Sequence, residues 1–279
     1  MTLAVLSGKG GTGKTFVSAN LAALAAKACY VDCDVEEPNG RLFLKPQNVT
    51  KEEVSTLVPS FDPALCDGCR KCVDTCRFHA LIYIKGTPKL FTEVCHACGA
   101  CAMVCPQKAI REVKRPVGVL EKGKRGKLPC LTGILNMGEA SGVPVIKAAI
   151  RAGKREEGLT ILDSPPGSGC AVVECVSQAD QCLIVTEPTA FGFHNFRMVA
   201  ELCSLLNKPF GVVLNKAEGP YGPLEDFCRE QNIPILASIP YSPRLAALGA
   251  EGRLACEEDP ETAERFCSIL ESLGEEAAK

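Results

Sequence analysis

The sequence predicts an α/β protein whose mostly parallel, doubly wound sheet is interrupted by a cysteine-rich insertion. The sheet is predicted by short apolar, β-branched runs that alternate with helical stretches at the start of the chain and again after residue 158. The insertion is predicted by eight of the 18 cysteines, which fall in two similar segments between residues 58 and 115. At ~150 residues per domain, 279 residues suit one large domain that carries a small insertion.

The composition excludes several broad classes. With 31 basic and 33 acidic residues, the net charge of −2 gives no global reason to expect nucleic acid or an anionic membrane as a partner. No apolar run reaches the ~18 residues of a membrane span. The chain opens on a strand that enters a glycine-rich loop, which is not the pattern of a signal peptide. We therefore expect a cytoplasmic protein, in which many cysteines indicate metal or redox chemistry rather than disulfides.

The predicted elements follow in order. An apolar run at Leu3–Ser7 predicts a strand, Lys14–Lys27 an Ala- and Leu-rich helix, and Ala28–Asp34 a second strand. The later predicted strands are Leu159–Asp163, Gln181–Thr186, Phe210–Lys216 and Pro234–Ile239. The later predicted helices are Phe191–Leu206, Pro223–Gln231, Pro243–Leu248 and Glu261–Leu273.

The insertion contains an internal repeat. Leu65–Cys76 and Val94–Cys105 share the spacing Cys-x2-Cys-x2-Cys-x3-Cys, and each half continues into a short apolar unit, Ala80–Ile84 or Ala109–Val113. The basic stretch Glu121–Lys127 then predicts a solvated hairpin, with a docking surface for an acidic partner as the alternative.

A phosphate-binding loop is predicted between the first strand and the first helix. GKGGTGKT fits the pattern G-x-x-x-x-G-K-[ST], in which glycines let backbone N–H groups surround phosphate oxygens and the helix N-terminus adds its positive dipole. We expect Lys14 to contact the β- and γ-phosphates and Thr15 to ligate Mg²⁺. The predicted phosphate site comprises Gly8, Gly10, Gly11, Thr12, Gly13, Lys14 and Thr15.

This loop resembles the deviant Walker A loop of the MinD/ParA/Mrp ATPases and the nitrogenase iron protein. The resemblance covers residues 1–34 and about 130–279. It implies a homodimer that forms with ATP, in which Lys9 reaches the partner's nucleotide and acts in catalysis with Lys14.

Two acidic segments carry the resemblance further. VDCD, which ends at Asp34, resembles the first switch; it implies that Asp34 positions or activates the attacking water and that Asp32 supports Mg²⁺. ILDSPPG resembles the Walker B and second switch segment; it implies that Asp163 holds Mg²⁺ through water and that the Gly167 amide senses the γ-phosphate. By position alone, these aspartates end strands, where open α/β sheets place their ligand crevice.

The adenine site is implied by two later segments. VLNK resembles the family's adenine-recognition strand end, which implies Asn215 on the base, and IPY resembles the family's next loop at the adenine pocket, which implies Pro240 there. Glu187 and His194 also follow a strand, but their spacing assigns them no role.

The cysteine spacing is that of bacterial two-cluster ferredoxins, in which the fourth thiolate of each cluster comes from the other half. One predicted [4Fe–4S] cluster has the ligands Cys66, Cys69, Cys72 and Cys105, and the other has Cys95, Cys98, Cys101 and Cys76. A zinc ribbon would use four cysteines in two pairs. Residue 77 is arginine where the ferredoxin pattern has proline.

From the phosphate loop and the cysteine repeat together, we predict a discontinuous P-loop ATPase domain, residues 1–57 and 116–279, and an inserted α+β ferredoxin-like domain, residues 58–115.

Together these patterns predict an ATP-hydrolysing iron–sulfur protein that couples nucleotide-driven changes at the dimer and the switches to electron transfer with a partner protein. The alternative is an Mrp-like carrier that assembles clusters and delivers them to client proteins, which would need labile ligands outside the ferredoxin set. Cys170 resembles a bridging-cluster ligand of the nitrogenase iron protein, but the second cysteine of that site has no counterpart near residues 138–142.

Overall fold

The structure, a computed structural model, describes residues 1–277. The strands are β1 (Thr2–Leu6), β2 (Ala28–Asp32), β3 (Gln47–Phe61), β4 (Leu81–Ile84), β5 (Thr87–Leu90), β6 (Ile110–Arg125), β7 (Leu128–Leu135), β8 (Leu159–Asp163), β9 (Gln181–Thr186), β10 (Phe210–Ala217) and β11 (Ile235–Pro240). The helices are α1 (Lys14–Leu24), α2 (Gly40–Leu44), α3 (Lys71–Thr75), α4 (Ala100–Met103), α5 (Val143–Gly153), α6 (Cys170–Gln178), α7 (Ala190–Leu205), α8 (Gly222–Glu230), α9 (Pro243–Ala250), α10 (Ala255–Glu258) and α11 (Pro260–Ser272). None of the helices within residues 1–277 combines the length and the apolar character needed to cross a membrane.

The main sheet has the strand order β11-β10-β9-β1-β8-β2-β7-β6-β3. Every neighbouring pair from β11 to β7 is parallel, whereas β6 is antiparallel to both β7 and β3. The predicted mostly parallel α/β sheet is therefore confirmed. The carboxyl ends of β1, β2, β8, β9 and β10 meet along one edge, where doubly wound sheets bind their ligands.

Helices cover both faces of the sheet. Leu3 and Val5 of β1 belong to the apolar core beneath α1 and α11, whereas Ala4 and Leu6 belong to the core beneath α6, α7 and α8. This alternation is the two-residue period of a strand, and all four side chains are fully buried. Because both faces are covered, such strands are continuous apolar runs in the sequence, which explains why their positions were predicted to within one or two residues.

In the sheet edge formed by β7, β6 and β3, the sequence predicted only the hairpin at Glu121–Lys127. That hairpin is confirmed, since β6 and β7 pair from Gly118–Leu135 to Arg125–Leu128. However, β3 and β6 extend far beyond it, and most of β3 is exposed. Exposed strands with polar side chains lack the apolar periodicity by which strands are recognised.

On the N-terminal side of Gly118, β6 no longer pairs with β7 and pairs only with β3. We call this two-stranded segment, residues 55–61 and 110–116, the arm, and the chain at its end, residues 62–109, the cysteine-rich unit. The unit contains α3, α4 and the antiparallel hairpin of β4 and β5. The predicted domain boundaries, after residue 57 and after residue 115, lie within the arm, whose two strands continue through them.

Candidate functional site

The predicted phosphate loop lies between β1 and α1 at the carboxyl edge of the sheet. Gly13 has a φ of 90°, and a Cβ there would lie 2.1 Å from Nδ2 of Asn215. That Nδ2 donates a hydrogen bond to the carbonyl of Thr12 at 2.7 Å. The left-handed backbone and the close approach of Asn215 therefore both require glycine at position 13. Gly11 also has a left-handed φ, of 79°, whereas a Cβ at Gly10 would meet no atom of the described residues within 4 Å.

Lys14 is paired with Asp163 in the buried part of the site. Its Nζ donates to Oδ1 of Asp163 at 2.5 Å, and the hydroxyl of Tyr30 donates to Oδ2 at 2.7 Å. Burial opposes the charge of Lys14, but the neighbouring carboxylates outweigh it and raise the pKa of the ammonium group. Lys14 is thus held in its cationic form, as binding to phosphate requires.

Asp32 fastens the loop that follows β2. It is fully buried, and its carboxylate accepts hydrogen bonds from the N–H groups of Gly40 at 2.9 Å and Asp34 at 3.2 Å. Burial and the Asp163 carboxylate raise the pKa of Asp32 to about 8. Asp34 is half-buried, and burial also raises its pKa.

The remaining predicted phosphate and Mg²⁺ residues lie in the same place. The N–H group of Gly167 donates to the carbonyl of Ser7 at 2.8 Å, and Thr15 is half-buried at the start of α1. The hydroxyls of Thr12 and Ser164 are buried without a hydrogen-bond partner. Leaving a buried hydroxyl unpaired costs about 1–3 kcal/mol. Phosphate oxygens or the water shell of Mg²⁺ would satisfy these two groups, so the residues fit a Mg²⁺–nucleotide.

Lys9 forms an ion pair that the sequence did not predict. Its Nζ lies 2.6 Å from Oε2 of Glu187 and 5.1 Å from the ring centre of Phe191. Oε1 of Glu187 lies 3.0 Å from Nζ of Lys216, which also donates to the carbonyl of Gly11 at 2.6 Å. Burial opposes the charge of Glu187, but the two lysines keep its carboxyl pKa below the usual value.

The position of Glu187 could have been inferred from topology. It follows β9, and β9 is the parallel neighbour of β1, which leads into the phosphate loop. Pairing of those two strands places their carboxyl ends side by side. His194, the other residue without an assigned role, is exposed on α7.

The two predicted adenine residues line one cavity. Asn215 and Pro240 belong to the wall of a cavity of about 260 Å³, together with Gly13, Phe16 and Tyr241. The structure therefore brings these residues together beside the phosphate loop, and their contact with adenine stays a prediction.

The eight cysteines of the repeat line two small cavities in the cysteine-rich unit. Cys66, Cys69, Cys72 and Cys105 line one cavity, and Cys76, Cys95, Cys98 and Cys101 line the other. These groups are the two predicted sets, including the exchange of the fourth cysteine between the halves.

In each of the two cavities, one cysteine sulfur accepts an equivalent backbone hydrogen bond. The N–H group of Ala80 donates to Sγ of Cys76, and that of Ala109 donates to Sγ of Cys105, each at 3.3 Å. Phe78 and His96 stack beside the second cavity, with ring centres 3.9 Å apart. Within residues 1–277, no three His, Cys, Asp or Glu side chains converge as ligands of a single metal ion.

Of the ten cysteines outside the unit, Cys170 alone is exposed, and Cys256 and Cys267 are half-buried. The other seven are buried as small apolar side chains: Cys29, Cys33, Cys130, Cys175, Cys182, Cys203 and Cys228.

Comparison with known proteins places this site in context. The CobQ/CobB/MinD/ParA nucleotide binding domain matches residues 3–255. An uncharacterised protein of Methanocaldococcus jannaschii is 31% identical over 283 residues, which cover 99% of this chain and 97% of that protein. A 45-residue stretch, 16% of this chain, is 44% identical to 17% of one component of the ion-translocating oxidoreductase complex of Methanosarcina acetivorans. The fold is similar to that of the septum site-determining protein MinD in complex with Mg-ADP from Pyrococcus horikoshii, with a TM-score of 0.58, 20% identity and coverage of 98% of this chain and 96% of that chain.

Proposed function

Because the chain belongs to the CobQ/CobB/MinD/ParA family of nucleotide-binding domains, we propose that it is a Mg²⁺-dependent ATPase that carries two [4Fe–4S] clusters and couples its nucleotide state to electron transfer with a partner protein. The observation that carries the proposal is the pair of four-cysteine cavities. Their unit is inserted between the two segments that resemble nucleotide switches, residues 31–34 and 161–167.

In the ATPase site, the N–H groups of the phosphate loop and the ammonium group of Lys14 bind the phosphates. Thr15 and Asp163 would hold Mg²⁺, Asp163 through water, and the ion would neutralise phosphate charge. Asp32 would support Mg²⁺ and also accepts a hydrogen bond from the N–H group of Gly40 at the start of α2, while Asp34 would position or activate the attacking water. Asn215 and Pro240 enclose the base.

The active form of the ATPase is a homodimer. Lys9 leaves Glu187 and reaches the nucleotide of the partner subunit, where its charge completes the neutralisation of the transferred phosphoryl group. The Lys9 ion pair within one chain is then the resting arrangement, and ATP-driven dimerisation exchanges it for a contact with phosphate.

The cysteine-rich unit fits two cubane clusters. A [4Fe–4S] cluster takes one thiolate at each of its four irons, so four ligands line a cavity instead of converging on one atom. The N–H groups of Ala80 and Ala109 donate to one sulfur of each set, and such bonds tune cluster potentials. The stretch shared with a component of an oxidoreductase complex also supports a redox role. When bound, each cluster supplies one-electron transfer.

Electron transfer fits this chain better than cluster delivery. A carrier needs labile thiolates outside the eight ferredoxin positions, and Cys170 is the one exposed cysteine among the other ten. Even in the homodimer, the two Cys170 thiols supply only two of the four thiolates that a [4Fe–4S] cluster takes.

Iron analysis tests the cluster assignment. We expect about eight iron atoms per chain after anaerobic preparation, and about four in Cys66→Ser and in Cys98→Ser. Cys170→Ser is the matched control, and its iron content should equal that of the parent. Stoichiometric zinc, or about four irons in the parent, would contradict two clusters. About ten irons would instead indicate a subunit-bridging cluster at Cys170, because one cubane shared by two subunits adds two irons per chain.

The coupling requires a second measurement. Proteins that co-purify anaerobically with the chain should differ between ADP and a non-hydrolysable ATP analogue. If the same partners bind equally in both states, nucleotide does not control the redox partner. Cluster transfer to an apo-protein, with all eight irons retained, would favour the carrier.

A further inference from the structure

The base of the arm is fastened to the loop that follows β7. The guanidinium of Arg115 donates to Glu139 in a two-point contact, Nη1 to Oε1 at 2.8 Å and Nη2 to Oε2 at 2.5 Å. The Glu139 side chain is only 9% exposed and that of Arg115 only 23%. A paired, partly buried guanidinium–carboxylate contact defines orientation as well as distance, unlike single contacts between exposed side chains.

The pairing of β3 with β6 is interrupted next to this ion pair. In the β3–β6 pairing, Val54 lies opposite Gly118 and Ser55 lies opposite Pro116, so Val117 is an extra residue on β6. Such a β-bulge bends its strand and locally disrupts the hydrogen-bond ladder. Pro116 weakens the ladder further because it has no N–H group. The orientation of the arm at this point is therefore not determined by strand pairing alone.

The loop after β7, residues 136–142, contacts both the bulge and Val35, the residue after the first switch segment. In this loop, the N–H group of Asn136 donates to the carbonyl of Val117 at 3.0 Å, and just before it the N–H group of Leu135, the last residue of β7, donates to the carbonyl of Val35 at 2.9 Å. A Cβ at Gly142 would lie 2.6 Å from Cγ2 of Val35. Val35 directly follows Asp34, so it connects the first switch segment to this loop.

We propose that the bulge at Val117 is a hinge of the arm and that Arg115 and Glu139 are positioning residues that make the arm follow the first switch segment. When nucleotide moves Asp34 and Val35, the loop moves with Val35 and carries Glu139, which turns the arm through Arg115. The cysteine-rich unit at the end of the arm is reoriented as a consequence. This inference rests on the proposed function, because it requires that the first switch responds to nucleotide.

Backbone hydrogen exchange in the full, cluster-loaded chain tests the proposal. Exchange is compared in peptides that cover residues 33–40 and residues 108–118, with ADP and with a non-hydrolysable ATP analogue. In the parent, both peptides should differ between the two nucleotides. In Glu139→Gln the switch peptide should still differ, whereas the arm peptide should lose most of its difference. The charge-swapped pair Arg115→Glu with Glu139→Arg should restore the arm response.

A matched control is the exposed pair of Lys122 and Glu52, which joins β6 to β3 on the sheet side of the bulge. Glu52→Gln should leave the response of the arm unchanged. The proposal would be overturned if the arm peptide of Glu139→Gln showed the same difference in exchange between the two nucleotides as the parent. It would also be overturned if, in the parent, the switch peptide differed between the nucleotides and the arm peptide did not. If hydrogen exchange in the switch peptide is the same with both nucleotides, both this proposal and the coupling on which it rests are overturned. Iron content then shows separately whether the cluster assignment holds.

Discussion

Lys9 and Glu187 form an ion pair within one chain, with Nζ 2.6 Å from Oε2, although 178 positions separate them in the sequence. The same carboxylate binds Lys216, whose ammonium group also contacts the carbonyl of Gly11. Glu187 therefore connects the phosphate loop to the carboxyl end of β10. In the dimer that we propose, Lys9 must give up this partner before it can reach the other subunit.

Removing the charge of Glu187 is expected to favour the dimer. Glu187→Gln keeps the shape of the side chain but releases Lys9, so dimerisation should need less ATP. A partly exposed ion pair is worth about 0.5–1 kcal/mol, which corresponds to an approximately two- to fivefold lower ATP concentration at half-maximal dimerisation. Light scattering against ATP concentration measures this shift.

Glu218→Gln is the control for that experiment, because Glu218 is exposed and follows β10 in the same region. It should dimerise at the ATP concentration of the parent. An unchanged or higher ATP requirement in Glu187→Gln would mean that the ion pair does not restrain Lys9.

The two lysines of the phosphate loop should differ in their effects. In the proposed ATPase, Lys14 binds phosphate within its own subunit, so Lys14→Ala should weaken ATP binding itself. Lys9→Ala should leave binding to a single subunit nearly intact but abolish ATP-dependent dimerisation and lower hydrolysis by ~10³-fold or more, as for other cations that complete the charge on a transferred phosphoryl group. ATP binding, light scattering and phosphate release separate the two roles.

Neither variant should change the iron content or the visible absorption, since both residues lie outside the cysteine-rich unit. If Lys9→Ala dimerises with ATP and hydrolyses it at the parent rate, the loop acts as an ordinary phosphate loop.

The stability of the nucleotide-free protein should fall as pH rises through the titration range of Asp32. Burial and the Asp163 carboxylate raise the pKa of Asp32 to about 8, whereas in the unfolded chain its pKa is about 3.9. Between these values the folded state keeps a proton that the unfolded state has lost. The free energy of unfolding therefore decreases with pH, by at most about 1.4 kcal/mol per pH unit from this group.

Asp32→Asn should remove this part of the pH dependence, which urea unfolding followed by far-UV circular dichroism can measure. Asp226→Asn, on the exposed side of α8, should retain it. If the free energy of unfolding falls with pH equally steeply in Asp32→Asn and in the parent, Asp32 is already ionised in the folded protein.

The sequence by itself determined the central strands, the phosphate loop and the two groups of cysteines. β8 and β9 have the predicted bounds because strands covered on both faces are unbroken apolar runs between turns. The exchange of Cys76 and Cys105 between the cavities follows from the repeat spacing, in which three closely spaced thiols leave the fourth out of reach. In each case the signal lies in residues that are close together in the chain.

Only the tertiary structure decided which distant side chains meet. The hydroxyl of Tyr30 reaches Asp163 because β2 and β8 are neighbours, and Glu187 reaches Lys9 because β9 lies beside β1. The arm and the Arg115–Glu139 contact were not predicted, since exposed polar strands lack an apolar period and a lone ion pair leaves no local pattern. Strand order places these groups side by side, and strand order results from the packing of the whole sheet rather than from any single segment.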